Sequence, residues 1–260
     1  SSPTILPAVA VAETASPLPV TASLEPIASL PKGVVKQKQI TADVDGDGVD
    51  EILAICSVNN SDEIRLYVLY AGGYHKTVVN DGAYDSAYLT KTSAGKPCLL
   101  ISIDEASEDY LTYAYSFDIK KPVLRNEKAG YIKNISGVSI TLSAHLYLIG
   151  TWDYVREYRL KNDYSLEPLE DYKIEMKWMQ PLHTIRELPV EKLTGGVYAS
   201  DVLPVGTLIY PVSTDINGYR CFKRENGYVG RIRFTREEYG SAYINGVIED
   251  DYFDNIEYSD

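Results

Sequence analysis

The sequence predicts an all-β protein: a propeller-like or sandwich body of repeated hairpins, followed by a small barrel. Three observations predict it. From residue 33 onward, short runs rich in Val, Ile and Tyr alternate with polar turns, and helical periodicity is almost absent. Three segments before residue 178 share one layout. The last third carries Asn-Gly turns at hairpin spacing.

Residues 1–32 come first and read as a stem. They hold six of the 13 prolines, six alanines, three charges and no aromatic. Such a segment cannot build a core, and its prolines favour extended backbone. It is expected to act as a spacer between an anchor or cleavage site and the folded body, with its apolar ILPAVAVA able to lie along that body. The start SSPT, without Met, is read as the end of a processed chain.

Next comes ITADVDGDGVDEILAI, Ile40 to Ile55, where five carboxylates crowd nine residues before an apolar strand. Counting from Asp43, carboxylates stand at positions 1, 3 and 5 (Asp43, Asp45, Asp47), Gly48 at 6 and Glu51 at 9. Alternate spacing turns those side chains around one centre, and the glycine lets Val49 offer its carbonyl at position 7. Calcium takes six to eight such hard oxygens, whereas magnesium tends to keep its waters. A solvated turn is the plainer reading, since Asp and Gly are ordinary turn residues. Cation binding is preferred, because uncompensated carboxylates would raise one another's pKa and destabilise the turn. The site expected is therefore Ca2+ held by Asp43, Asp45, Asp47, Glu51 and the Val49 carbonyl, with Asp50 pointing outward. An EF-hand is not expected: position 12 is Ala54, and EILAI is a strand rather than a helix.

The β-repeat domain, 33–178, follows. EILAICSVNNSDEIRLYVLYAGGYHKTV, GKPCLLISIDEASEDYLTYAYSFDIKKPVL and SAHLYLIGTWDYVREYRLKNDYSLEPL each give a buried strand, a polar loop, a Tyr-rich strand, a turn and a weak closing strand. Ile55 aligns with Ile101 and Tyr67 with Tyr113 at a spacing of 46; Leu148 and Tyr158 continue the series at 47 and 45. A period in the forties suits propeller blades, but three units are too few to close a ring. The cluster Asp104, Glu105, Glu108 and Asp109 lacks a glycine turn and reads as a solvated hairpin loop. Trp152 and Tyr154 are candidate recognition aromatics or, equally, core residues. Arg156 and Arg159 read as surface partners of nearby acids.

Residues 179–260 close the chain. Leu203 to Phe234 reads as short strands with turns at Asn217–Gly218 and Asn226–Gly227, and the tail EDDYFDNIEYSD as a solvated closing segment.

Composition bounds the function. Net charge is -12 and fifteen of the 37 acids fall in three clusters, which disfavours nucleic acid and anionic membranes as partners. No run of about 18 apolar residues predicts a membrane span. The 22 tyrosines suit half-buried strands, and also contact with carbohydrate or protein. Cys56, Cys98 and Cys221 lie in apolar runs without metal spacing and read as buried thiols, with a Cys56–Cys98 disulfide as the alternative. His75, His145 and His183 stand far apart, and HExxH, GxSxG, P-loop and GxGxxG motifs are absent.

The pattern DxDGDGxxE running into an apolar strand resembles the calcium loops of FG-GAP and VCBS-type repeats, although the other two repeats of this chain lack it. The resemblance implies a mainly structural cation between strands of a blade. The Pro-x-Gly turn and the NGYVGRI strand of the last third resemble bacterial SH3-like domains of secreted Gram-positive proteins. Together these imply a secreted or lipid-anchored surface protein, extracellular and non-enzymatic, that binds glycan, peptidoglycan or protein. The alternative is a glycoside or cell-wall hydrolase, whose two carboxylates need only meet in space and leave no mark in sequence.

Overall fold

The computed structural model describes residues 27–105, 109–174, 180–236 and 241–256, and no statement is made about the side chain of Tyr147. Residues 1–26 of the stem, Glu108 of the second acid cluster, Trp178 at the expected domain boundary and the last four residues lie outside the described residues. Those described residues are all-β, without an α-helix.

Strands β1 (Val34–Ala42), β2 (Glu51–Val58), β3 (Glu63–Tyr70) and β4 (Gly73–Asp81) form one antiparallel meander. Strands β5 (Ala83–Lys91), β6 (Pro97–Asp104), β7 (Tyr110–Asp118) and β8 (Lys121–Ala129) repeat it. A third hairpin set has β9 (Tyr131–Ser136), β10 (Ser139–Tyr147), β11 (Thr151–Leu160) and the short β12 (Leu166–Pro168). The first two meanders pack face to face through Leu53, Ile55, Leu99 and Ile101; the second meets the third through Leu100, Ala114, Ile140 and Leu142. Central strands β2 and β6 are therefore buried on both faces, which explains why EILAICSV and PCLLISID are continuously apolar rather than alternating. Each of those fully buried aliphatics contributes roughly 1.5–3 kcal/mol of burial.

The repeat is real, but one of its two aligned series is out of step. Tyr67, Tyr113 and Tyr158 pair across their hairpins with Ala54, Ile101 and Ile140. Each lies on the face of its sheet that looks back along the chain: Tyr113 toward the first sheet, Tyr158 toward the second. Tyr67 looks toward Ala28 and Leu30, so the end of the stem stretch covers the first sheet. Ile55 and Ile101 instead meet each other inside a single core, so they are not equivalent. A one-residue slip moves a side chain to the opposite face. Leu148 is no strand residue; it is buried in the tight turn before β11.

The strands β13 (Tyr172–Ile174), β14 (Leu182–His183), β15 (Leu188–Thr194), β16 (Val197–Leu203), β17 (Leu208–Thr214), β18 (Tyr219–Lys223) and β19 (Val229–Arg233) follow. β13 bonds to both β11 and β17, so one open sheet runs from β9 to β16. The expected turns at Asn217–Gly218 and Asn226–Gly227 join β17 to β18 and β18 to β19. In the first, Asp215 Oδ1 accepts the N–H groups of Asn217, Gly218 and Tyr219 at 2.8–3.0 Å. Three small strands, β20 (Thr235–Arg236), β21 (Ala242–Ile244) and β22 (Val247–Ile248), form a separate sheet.

Trp152 and Tyr154 are core residues and not an exposed recognition pair. Both are buried with Leu188, Ile209, Phe222 and Tyr252, and Trp152 Nε1 donates to the Ile149 carbonyl at 2.8 Å. Arg156 lies over the Tyr172 ring at 4.4 Å and donates to the Glu170 carbonyl, a stacking rather than an ion-pair role. Among the described residues no helix is long and apolar enough to cross a membrane.

Candidate metal centre

The loop between β1 and β2 folds on its own carboxylates. Asp43 Oδ1 accepts the Gly46 N–H at 2.6 Å, and its Oδ2 accepts that of Gly48 at 2.9 Å. Asp45 Oδ1 takes the Asp47 N–H at 3.2 Å, and Asp47 Oδ1 takes that of Val49 at 2.8 Å. Glu51, the first residue of β2, has no exposure, and its Oε2 accepts the Val44 N–H at 3.1 Å. Each of these four carboxylates thus spends at least one oxygen on a backbone donor, which fixes the side chains before any cation is considered.

The remaining oxygens converge. Carboxylate oxygens of Asp43, Asp45 and Glu51 lie within 4.8 Å of one another. Into this space reaches Lys120, from the two-residue turn between β7 and β8 of the second sheet. Its Nζ lies 2.6 Å from Asp47 Oδ2, 3.0 Å from Glu51 Oε1 and 3.1 Å from Asp45 Oδ2. An ammonium has three N–H groups, and here it meets three carboxylates. The Glu51 contact is ionic only: Oε1 has no partner in hydrogen-bonding geometry although it is buried. The Lys120 ammonium, and then the Val49 N–H, hold the Asp47 carboxyl below the usual carboxylate range. Asp47 and Glu51 in turn push the Lys120 pKa up.

Of the five residues expected to ligate, the loop brings carboxylate oxygens of Asp43, Asp45 and Glu51 together, while Asp47 is joined to Asp45 and Glu51 through Lys120. Val49 is half exposed and takes part through its N–H to Asp47. Asp50 is exposed, as the spacing requires. Lys120 was missed: it stands 69 residues beyond Glu51, and nothing in the spacing of lysines singles it out. The signal present in the sequence was only the unbalanced charge.

A cavity of about 820 Å3 adjoins the loop. Asp43 to Asp47 form one wall, the 94–97 turn another, and Phe117, Ile119 and Tyr164 supply apolar surface, so turns from all three hairpin sets meet there. Glu105 of the second acid cluster is more than solvated loop: its Oε1 accepts from Tyr113 Oη at 2.8 Å and from Asn80. The histidines are held separately, His145 Nδ1 by Asp153 at 2.7 Å and His183 Nδ1 by Asp254 at 2.8 Å, while His75 packs on Tyr70. The cysteines are free thiols, and Cys56 and Cys98 belong to different cores.

Comparison with protein-family models, with curated proteins and with solved structures finds no match to this chain.

Proposed function

We propose that the chain is a non-enzymatic, extracellular or cell-surface binding protein whose loop Asp43–Glu51 carries a structural calcium ion. Asp43, Asp45, Asp47 and Glu51 would ligate through side chains and Val49 through its carbonyl. The observation that carries this reading is charge. Carboxylate oxygens of Asp43, Asp45 and Glu51 lie within 4.8 Å of one another, and Glu51 is fully buried. Asp47 joins Asp45 and Glu51 through Lys120, and among the described residues that single ammonium is the one cation paired with any of these four acids. Three negative charges stay uncompensated, which a divalent ion relieves.

The face-to-face stacking of four-stranded meanders supports an incomplete propeller of the FG-GAP/VCBS kind. The antiparallel order β16-β15-β19-β18-β17 supports the SH3-like module as its neighbour. The ligand, a glycan, peptidoglycan or protein, is assigned to the cavity beside the loop, where polar walls meet Phe117 and Tyr164. The hydrolase alternative needs one carboxyl kept protonated as general acid, and Asp47 on the cavity wall is instead held toward its charged form by Lys120.

The test is a thermal melt at low ionic strength, with millimolar calcium against excess chelator, on the intact chain and on Asp45→Ala. The expected result is a melting temperature that rises with calcium in the intact chain and not in the variant. Curves that coincide in chelator and calcium would remove the structural ion from the reading.

A further inference from the structure

We infer that Lys120 is an internal competitor for the cation site, and that a divalent ion enters by expelling it and releasing the turn between β7 and β8. The inference rests on the calcium reading of the loop. Three observations carry it. First, Lys120 Nζ stands within 3.1 Å of oxygens on Asp45, Asp47 and Glu51, the same oxygens a calcium ion would take. Two cations cannot share three oxygens at that range, because their own repulsion would act at a few ångströms in a partly buried site. Occupation is therefore exclusive.

Second, the lysine comes from another sheet. The loop belongs to the β1–β2 connection and Lys120 to the second meander, so the ammonium ties two sheets together, whereas a calcium ion held by the loop alone would not. Third, little else ties down the turn that delivers Lys120. Ile119 is mostly exposed, and its φ of 55° is the left-handed conformation that a two-residue hairpin between β7 and β8 calls for by itself. Once the ammonium leaves, the turn loses its tie to the acidic loop and is held by its own hairpin alone.

The consequence reaches the cavity, since Phe117 and Ile119 line it together with Asp43 to Asp47. Exchange of lysine for calcium thus alters two walls of the same cleft, one by rigidifying the loop and one by freeing the turn. The ion would both stabilise the first sheet and set the shape offered to a ligand.

The experiment titrates calcium chloride into the full chain, made metal-free, for the intact protein and for Lys120→Met, by calorimetry. It also follows hydrogen exchange of residues 118–122 in the intact protein with and without calcium. The expected result is at least about tenfold tighter calcium binding by Lys120→Met, since one competing charge is gone, and faster exchange in the turn when the intact protein is loaded. Equal or weaker affinity in Lys120→Met overturns the competition while leaving the calcium loop intact. Calcium binding without any change of exchange in the turn overturns the release. Absence of binding in both proteins defeats the calcium reading itself, and the inference with it.

Discussion

Gly82 and Gly130 hold the same place in successive sheets. Gly82 is the single residue between β4 and β5, and Gly130 the single residue between β8 and β9. Each has positive φ, 142° and 109°, and each donates its N–H at 2.7 Å to a carbonyl at the start of its own sheet's Tyr-rich strand, Asp62 and Tyr110. The chain therefore leaves one meander and enters the next through one glycine. A side chain there has nowhere to go. A Cβ on Gly82 would fall on the Asp104 carbonyl, and one on Gly130 would sit 2.6 Å from the Ser143 carbonyl oxygen. The second crossing is also braced by buried hydroxyls: Thr112 Oγ1 donates to the Gly130 carbonyl at 2.6 Å, and Ser102 Oγ accepts the Ile132 N–H at 3.1 Å. Gly82→Ala and Gly130→Ala are each expected to cost roughly 2–5 kcal/mol, from backbone strain plus overlap with a carbonyl that cannot yield. Urea denaturation measures it; a loss below about 1 kcal/mol in either would mean the crossings are adaptable and not fixed hinges.

Those two glycines were invisible as a pair in the sequence, although the repeat they punctuate was not. The Tyr67, Tyr113 and Tyr158 series was legible because each tyrosine keeps one face of its sheet. The Ile55–Ile101 match failed because the hairpin loops differ by one residue: Ala54 faces Tyr67 thirteen positions on, and Ile101 faces Tyr113 twelve on. Spacing alone cannot detect such a slip when both faces of a strand are apolar. The acidic loop was legible because its carboxylates are contiguous and local turn geometry aims them. Lys120 was not, since tertiary stacking of the first two sheets is what brings it there. Trp152 was ambiguous for a similar reason: its burial depends on strands β15 to β19, which lie far along the chain.

The Cys98 thiol gives a pH prediction with a definite sign. Burial pushes it up to about 12 from an ordinary 9.0. Folded Cys98 keeps its proton up to about pH 12 while the unfolded chain loses it near 9, so ionisation favours the unfolded state as pH rises. The contribution is whole below pH 9 and is lost through the window up to about 12, at roughly 1.4 kcal/mol per pH unit and up to about 4 kcal/mol in all. Cys98→Ala lowers stability at neutral pH by leaving a small void, yet it should show a shallower decline above pH 9 than the intact chain. Denaturation midpoints from pH 7 to 11 test this, and parallel slopes in the two proteins would contradict it. Thiol reagents should leave Cys98 unmodified in the folded protein.

Arg220 makes the last prediction. It has no solvent exposure, its guanidinium lies over the Trp152 ring at 4.7 Å, and Nη1 donates to the carbonyls of Leu148 and, at 2.7 Å, Ile149. Those carbonyls belong to the tight turn between β10 and β11, whose residue Ile149 has φ 48° and donates its own N–H to buried Glu249 at 2.8 Å. One guanidinium on β18 thus holds a turn of the third hairpin set some seventy residues earlier in the chain. Arg220→Met keeps the stem and much of the packing against Trp152, but takes the guanidinium from the Leu148 carbonyl and leaves the Ile149 carbonyl to Trp152 Nε1. The expected loss is roughly 3 kcal/mol, the scale of charged hydrogen bonds removed from buried partners. Arg220→Lys is expected to recover less than half of it, because an ammonium on a single stem cannot reproduce the planar fork that stacks on the indole and reaches both carbonyls. Trp152 fluorescence reports the same event locally: in Arg220→Met it should shift to the red in the folded protein as water reaches the turn. An unshifted spectrum with full stability would mean that Glu249 and Trp152 hold the turn without the guanidinium.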